Sequence, residues 1–117
     1  MVILVTLFGI LFMVAGIAHF IKPKFYNRFI PNFLPKLTVN YIVGLIEFIF
    51  GIGLLIPTTR SYACLGIFVL MLLFLPIHLW DATKKNPAIG SKLLAYIRIP
   101  VQFLFLYIAY FIYQSLK

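Results

Sequence analysis

Six polar side chains lie inside or at the edge of long apolar runs, and they are the residues of this chain best suited to chemistry. An ionisable group in such a run is costly unless it has a partner or water, so it marks a site that handles protons, ions or a ligand. A carboxylate near an imidazole or a guanidinium can relay a proton, and amide side chains can hydrogen-bond a ligand. The six residues are His19, Asn40, Glu47, His78, Arg98 and Gln102.

Four apolar runs carry these six residues. The runs cover residues 2–21, 39–56, 62–80 and 93–113. Each is long enough to cross a hydrocarbon core of about 30 Å as a helix. Because backbone polar groups must be paired internally in lipid, the runs are predicted to be helices. The sequence therefore predicts one all-α domain, residues 1–117, folded as a transmembrane four-helix bundle.

The composition excludes an ordinary soluble protein. Hydrophobic residues make up 64% of the 117 residues and charged residues only 10%. The net charge of +8 does not indicate a nucleic-acid partner, because the basic residues lie in short loops between apolar runs. Basic loops of this kind are typical of membrane proteins next to anionic lipid headgroups. Cys64 is the single cysteine, which excludes an intrachain disulfide.

The distribution of basic residues predicts the orientation in the membrane. With four crossings, the first and third loops lie on one side, and eight of the ten basic residues belong to that side. The eight are Lys22, Lys24, Arg28, Lys36, Lys84, Lys85, Lys92 and Arg98. Only Arg60 and Lys117 belong to the other side. The positive-inside rule then places the basic side in the cytoplasm and both termini outside it.

The first loop contains an aromatic stripe. Phe25, Phe29 and Phe33 recur every four residues, and Pro31 and Pro35 prevent a longer helix. This pattern predicts a short amphipathic helix in the membrane interface between helices one and two. Two interpretations of this segment are open at this point. It rests on the lipid surface, or it forms a lid over a pocket between the helices.

Small residues indicate which helix faces point into the bundle. Gly44 and Gly51 lie three residues before Glu47 and four residues after it, on one helical face. Such residues let a neighbouring helix approach closely, so Glu47 is predicted to face the interior. A similar stripe in the first run, with glycines seven residues apart, ends at His19.

By chain direction, all six polar residues fall in the cytoplasmic half of the bundle, and every run contributes at least one. In addition, Pro76 and Pro100 each remove a backbone hydrogen bond within a run, and freed carbonyls are typical of membrane-protein cavities. The sequence therefore predicts an intramembrane polar site on the cytoplasmic side. For each residue alone, a structural role is the competing interpretation: Arg98 neutralises Glu47, or the histidines bond backbone carbonyls. Asp81, followed by Lys84, is interpreted as a solvated loop pair.

Four motifs in order resemble a known family. They are Gly16-Ile-Ala-His19-Phe20, Gly44-Leu-Ile-Glu47, Phe74-Leu-Pro76 and Arg98-Ile-Pro100-Val-Gln102. Together they resemble the DoxX-like family of small four-helix membrane proteins. The resemblance implies a bacterial cytoplasmic (inner) membrane protein linked to membrane redox systems, such as a subunit of a quinone-reducing oxidoreductase. One departure is His78, which stands where the family pattern leads us to expect an asparagine.

Several functions fit these features. The leading hypothesis is a site for a small apolar or amphipathic ligand, such as a quinone, in a protein that serves a redox partner. The alternatives are an assembly factor for another membrane protein, a small proton-coupled exporter, and a haem protein with His19 and His78 as ligands.

The sequence contains no signature of an enzyme. It lacks a nucleophile elbow, a phosphate-binding glycine loop and an H-E-x-x-H metal motif. It predicts no catalytic residue and no metal ligand, and it does not identify a cofactor. If the protein takes part in catalysis, we expect the chemistry to belong to a cofactor or to a partner chain.

Overall fold

The computed structural model describes residues 1–116 and consists of five helices joined by short loops. Their bounds are α1, Val2–Ile21; α2, Pro23–Tyr26; α3, Lys36–Leu55; α4, Arg60–Thr83; and α5, Lys92–Ser115. A single 3₁₀ turn, Asn27–Phe29, follows α2 directly. The predicted all-α bundle of four long helices, with a short helix between the first two, is confirmed.

The long helices begin and end close to the predicted positions. Proline at position 35 precedes α3 and fixes the backbone before the first turn, so this helix begins at Lys36 and not at Val39. The hydroxyl of Ser91 accepts a hydrogen bond from the backbone N–H of Leu94 and caps the start of α5. The loops therefore begin and end where the local sequence favours a helix boundary.

Helices α1 and α3 pack against each other through glycines. A Cβ atom on Gly16 would lie 2.5 Å from the carbonyl oxygen of Gly44, and one on Gly51 would lie 2.6 Å from that of Gly9. Only glycine allows two backbones to come this close. The predicted glycine faces are therefore confirmed, and they form the α1–α3 seam, which we define as Gly9, Gly16, Gly44 and Gly51.

The remaining two long helices, α4 and α5, pack against each other, and α3 also contacts α4. The apolar core lies between the two pairs. Phe8 and Phe12 of α1 contact the ring of Phe105 on α5, with ring centroids 5.9 and 6.3 Å apart. This aromatic layer joins the α1–α3 pair to the α4–α5 pair.

The exterior of the bundle is apolar, as expected for a surface in contact with lipid. Val2, Ile3 and Tyr62 are each 76% exposed. Each of the four long helices is long and apolar enough to cross a membrane. The long axis measures 43 Å, which exceeds a hydrocarbon core of about 30 Å. The protein is a small multi-pass membrane protein.

We call one end of this bundle the basic end: it consists of the C-terminal ends of α1 and α4, the N-terminal ends of α3 and α5, and the loops 22–35 and 84–91. Asp81 lies here, and the prediction that it is solvated is wrong, because it is only 1% exposed. Its carboxylate accepts hydrogen bonds from the backbone N–H groups of Ala88 at 2.8 Å and Ile89 at 3.4 Å. Its predicted pairing with Lys84 is present, at 3.3 Å. Asp81 thus folds the α4–α5 loop back onto α4.

Candidate functional site

A cavity of about 320 Å³ lies at the basic end, between the α1–α3 pair and the α4–α5 pair. Five of the six residues selected from the sequence line it: His19, Asn40, Glu47, His78 and Arg98. They come from all four long helices, so the fold brings together residues that are as many as 79 positions apart in the chain (98 − 19). The volume is at the lower end of the range for small-molecule sites, which is about 300–1,000 Å³.

Most of the cavity wall is apolar. Phe74 and Ile77 of α4, together with Val39 and Val43 of α3, form the sides. The segment Pro23–Ile30 covers the basic end of the cavity, and its members Phe25, Tyr26, Phe29 and Ile30 line the space. We call this segment the cover. An apolar wall with a few polar groups is typical of ligand sites in proteins.

His19, Asn40 and Glu47 form a connected polar cluster on the α1–α3 side. The His19 Nδ1 atom lies 3.3 Å from the Asn40 Oδ1 atom. On the other side of the ring, His19 Nε2 lies 3.7 Å from Glu47 Oε2. All three residues are buried. The glycine seam explains this arrangement, because Gly16 and Gly44 lie one turn from His19 and Glu47 and bring their helices together.

The hydrogen bonds fix the position of one proton on His19. The Asn40 Nδ2 atom donates to the carbonyl oxygen of Pro23 at 3.0 Å and to the side-chain oxygen of Asn27 at 2.9 Å. A backbone carbonyl only accepts, so the Asn40 amide orientation is determined and its Oδ1 atom faces His19. The Nδ1 atom of His19 must therefore carry a proton and donate it to Asn40.

This assignment leaves Nε2 of His19 to face Glu47 across 3.7 Å. A neutral imidazole with its lone pair facing an ionised carboxylate would be repulsive. A proton on Nε2 would turn this contact into an ion pair, and a proton on the carboxyl of Glu47 would remove the repulsion. The two groups are therefore placed to exchange a proton.

Tyr26 of the cover completes the cluster. Its ring stacks on the His19 imidazole with ring centroids 3.8 Å apart and an interplanar angle of 17°. Burial, and to a smaller extent the charge of Glu47, raises the pKa of the Tyr26 phenol above its usual value of 10.0. The phenol is therefore neutral at physiological pH, and its ring closes the cluster on the side of the cover.

Arg98 and His78 lie on the α4–α5 side of the same cavity. The Arg98 guanidinium stacks over the ring of Phe105 at 5.2 Å, and its Nη1 atom is buried without a hydrogen-bond partner in residues 1–116. The structure shows no ion pair within 4.0 Å between Arg98 and Glu47, both of which are described. The ring of His78 packs edge-to-face against Phe29 of the cover at 5.7 Å.

Gln102 is the one selected residue that does not line the cavity. It is fully buried, and its Nε2 atom donates to the carbonyl oxygen of Met71 at 2.8 Å. Its side chain joins α5 to α4. This contact supports a packing role for Gln102, one turn farther from the basic end than Arg98.

The cover is held in place by hydrogen bonds from both helix pairs. From α3, Lys36 Nζ donates to the carbonyl oxygens of Asn27 at 2.7 Å and Ile30 at 2.9 Å. From the α4–α5 loop, Lys84 donates to the carbonyl oxygen of Arg28, whose guanidinium donates to the carbonyl of Asn86. Of the two interpretations open for this segment, the structure supports a lid over a pocket. Phe25 and Phe33 are exposed, so this segment can also contact lipid while it covers the pocket.

The histidine and acidic side chains of the described residues are spread over the bundle, and His19 has a neighbour at each ring nitrogen. No group of three or more histidine, cysteine, aspartate or glutamate side chains is placed to hold a metal ion within residues 1–116. For haem, an axial histidine needs a free ring nitrogen, but both nitrogens of His19 face other side chains. The cluster is therefore better suited to hydrogen bonding and proton exchange than to metal binding.

One family model, described as a domain of unknown function (DUF8561), matches residues 8–113. The chain belongs to this family. No curated protein and no solved structure shows significant similarity to the chain. Every residue that lines the cavity lies within the matched range, so the cavity is part of the DUF8561 domain.

In this DUF8561 protein, the sequence pattern missed Tyr26 and Lys36 as members of the site. The sequence identifies Lys36 only as one of the basic loop residues, although it holds the cover on α3 together with Asn40. Tyr26 falls outside the stripe of phenylalanines, yet it stacks directly on His19. The one available signal was the position of Tyr26 in a short aromatic segment between two prolines.

Proposed function

We propose that this DUF8561 protein binds a small amphipathic molecule, such as a quinone, in the cavity at the basic end. In this proposal it serves a membrane redox system as an accessory subunit. The observation that carries the proposal is a covered cavity with apolar walls that contains Nη1 of Arg98 and Oε2 of Glu47, two buried atoms with no hydrogen-bond partner within residues 1–116. Unpartnered buried polar atoms are costly in a folded protein, and a ligand that pairs them removes that cost.

The apolar walls support a flat, apolar ligand body. Phe29 and Phe74 lie on the wall with Ile77, and together they offer surfaces on which a ring can stack. Phe25 lines the cavity and is also exposed, so the cavity wall continues to the outer surface of the bundle. This arrangement allows a tail to extend into lipid while the ring stays inside.

The polar groups support a ligand with oxygens at both ends, as in a quinone. The Arg98 guanidinium donates hydrogen bonds and would hold one carbonyl oxygen. On the opposite side, the imidazole of His19 and the carboxyl group of Glu47 lie 3.7 Å apart, and both are groups that exchange protons. Reduction of a quinone consumes protons, so a neighbouring pair able to supply one would serve that chemistry.

The membrane and orientation form part of the same proposal. The resemblance to DoxX-like proteins supports a bacterial cytoplasmic membrane, and the excess of basic residues supports a cytoplasmic location for the basic end. Both termini then lie outside the cytoplasm. Cysteine-accessibility labelling of single cysteines introduced at positions 33 and 58, in a Cys64→Ser background, tests this orientation in intact cells.

The test of ligand binding is thermal unfolding in a neutral detergent with and without short-tailed ubiquinone and menaquinone. We expect the quinone to raise the unfolding temperature of the wild type, and to raise it less in Glu47→Gln. Arg60→Gln provides a matched control, because Arg60 lies at the opposite end of the bundle and donates to the Leu54 carbonyl. Its response to quinone should equal that of the wild type.

An unchanged unfolding temperature in both the wild type and Glu47→Gln would contradict a quinone site. In that case crosslinking and pulldown would identify a stable protein partner, which an assembly factor or a ligand-free accessory subunit requires. A pH-driven uptake assay in proteoliposomes would test the exporter hypothesis directly.

A further inference from the structure

Positive charge predominates in the chain and at the basic end. The chain contains two acidic side chains, Glu47 and Asp81, against ten basic ones. Glu47 faces His19 Nε2 at 3.7 Å, and Asp81 pairs with Lys84 and accepts from two backbone N–H groups. In residues 1–116, neither carboxylate forms an ion pair with Arg98 within 4.0 Å.

Few negative groups surround Arg98. Glu47 is the one carboxylate on the cavity wall, and the ion-pair contact that it makes within 4.0 Å in residues 1–116 is with Nε2 of His19. The Tyr26 phenol is neutral, since burial raises its pKa. His78 is either neutral or positive. The aromatic face of Phe105 attracts the guanidinium but carries no net charge.

The surroundings of the cavity increase this positive potential. The cover contains Lys24 and Arg28, and the adjoining α4–α5 loop contains Lys84 and Lys85. A cleft surrounded by one sign of charge and apolar walls concentrates ligands of the opposite sign. Arg98 is half-buried and its Nη1 atom is fully buried, so an anionic ligand that reaches this atom would be its natural partner.

We propose that the ligand of this cavity is an amphiphile with an oxyanion head group, a carboxylate or a phosphate, that pairs with the unpartnered Nη1 side of Arg98. The apolar part of the ligand lies against Phe29, Phe74 and Ile77. The inference rests on the proposed function only in requiring that the cavity holds an amphipathic molecule. It replaces the neutral carbonyl of a quinone by a charged group as the preferred partner of Arg98.

The experiment compares ligands that share a chain and differ in charge. Native mass spectrometry of the protein in a neutral detergent measures binding of dodecanoate, dodecyl phosphate, dodecanol and a short-tailed ubiquinone. The proteins are the wild type, Arg98→Gln, Arg98→Lys and Lys85→Gln. Lys85→Gln is the matched control, because it removes one positive charge from an exposed residue at the same end, outside the cavity wall.

We expect one molecule of dodecanoate or dodecyl phosphate to bind the wild type at least about tenfold more tightly than dodecanol, since charge-assisted hydrogen bonds are the stronger class. Arg98→Gln should remove this preference, and Arg98→Lys should retain part of it. Lys85→Gln should weaken it only slightly, because Lys85 adds to the positive potential of this end without lining the cavity. Comparison of dodecanoate with dodecyl phosphate distinguishes a ligand that resembles a fatty acid from one that resembles a phospholipid. If Arg98→Gln fails to fold, the comparison between the wild type and Arg98→Lys decides, with a circular dichroism spectrum as the check on folding.

Equal binding of dodecanoate and dodecanol by the wild type would overturn the inference, as would an equal loss of the preference in Lys85→Gln and Arg98→Gln. Binding of ubiquinone without any preference for the anions would also overturn it, while leaving the proposed function intact. If none of the four compounds binds, both the inference and the proposed ligand site fail.

Discussion

Replacement of Gly16 by alanine tests whether the α1–α3 seam positions the site. The added Cβ atom would lie 2.5 Å from the Gly44 carbonyl oxygen and 2.7 Å from the backbone nitrogen of Phe48. Ordinary contacts begin at 3.4 Å, so the shortfall at the Gly44 oxygen is 3.4 − 2.5, or 0.9 Å. Both obstacles are backbone atoms, which cannot rotate away as a side chain could. The helices must therefore separate.

The expected cost is about 1–3 kcal/mol, the usual range for added methyl groups in a well-packed core. For a domain of this size, we expect that cost to lower the unfolding temperature by several degrees. Thermal unfolding in neutral detergent, followed by circular dichroism at 222 nm, measures it. Because Gly16 lies one turn from His19, the separation should also lengthen the contact between His19 and Glu47.

Gly53→Ala is the comparison variant. It adds the same methyl group to α3, but its nearest neighbour would be the Cβ of Ala63 at 3.1 Å, a shortfall of 3.4 − 3.1, or 0.3 Å. The gain in helix propensity is similar at both positions. We therefore expect Gly53→Ala to change the unfolding temperature much less than Gly16→Ala. Equal changes in the two variants, or a stabilised Gly16→Ala, would refute the argument that backbone contact between α1 and α3 sets the geometry of the seam.

Two further predictions concern the basic end. Asp81→Ala should lower the free energy of unfolding by about 1–3 kcal/mol, because two backbone N–H groups lose their acceptor. The loosened loop should also be cleaved faster by trypsin after Lys84. Cleavage at the wild-type rate would contradict this role of Asp81. The raised pKa of Tyr26 predicts that this tyrosine ionises at higher pH than the exposed tyrosines. The stabilisation that the neutral Tyr26 phenol provides is present at neutral pH and is lost as the pH rises above 10.0. Absorbance titration at 295 nm of the wild type and Tyr26→Phe measures this, and a late phase that persists in the variant would assign it to another tyrosine.

The spans and the inward faces could be predicted because they depend on local patterns. An apolar run of about 20 residues has few alternatives to a membrane helix. The seven-residue spacing of Gly44 and Gly51 places them on the face that meets α1, and Glu47 lies on the same face. Periodicity alone therefore predicted that Glu47 faces inward, and the structure shows it on the cavity wall.

The partners of these residues could not be predicted, since they depend on how separate helices meet. Arg98 and Glu47 have opposite charges and similar depths, which suggested that they neutralise each other. In the structure His19 is the basic residue within 4.0 Å of Glu47, because the close approach of α1 and α3 at the glycine seam brings these two side chains together. Gln102 has the correct depth but contacts α4 at Met71, away from the cavity.

Loop residues were harder to interpret than helix residues. Asp81 was expected in solvent because two lysines follow it closely, a spacing that normally indicates an exposed pair. Its actual role depends on the loop turning back so that two backbone N–H groups reach its carboxylate. The aromatic stripe was likewise only partly informative, since regular helix ends at Phe29 and Phe33 falls in the turn beyond it.

His19 connects the cover to the site, because one ring nitrogen contacts Asn40 and the other faces Glu47. The Nδ2 atom of Asn40 holds the cover by donating to Pro23 and Asn27, and the Oδ1 atom of the same amide accepts a hydrogen bond from His19. If the cover moved away, Asn40 would lose the acceptors that fix its orientation, and its amide could then rotate to present a donor to His19. The hydrogen bond that fixes a proton on Nδ1 of His19 therefore depends on the cover being closed. A ligand that enters only when the cover opens would thus meet a His19 whose tautomer is no longer fixed by Asn40.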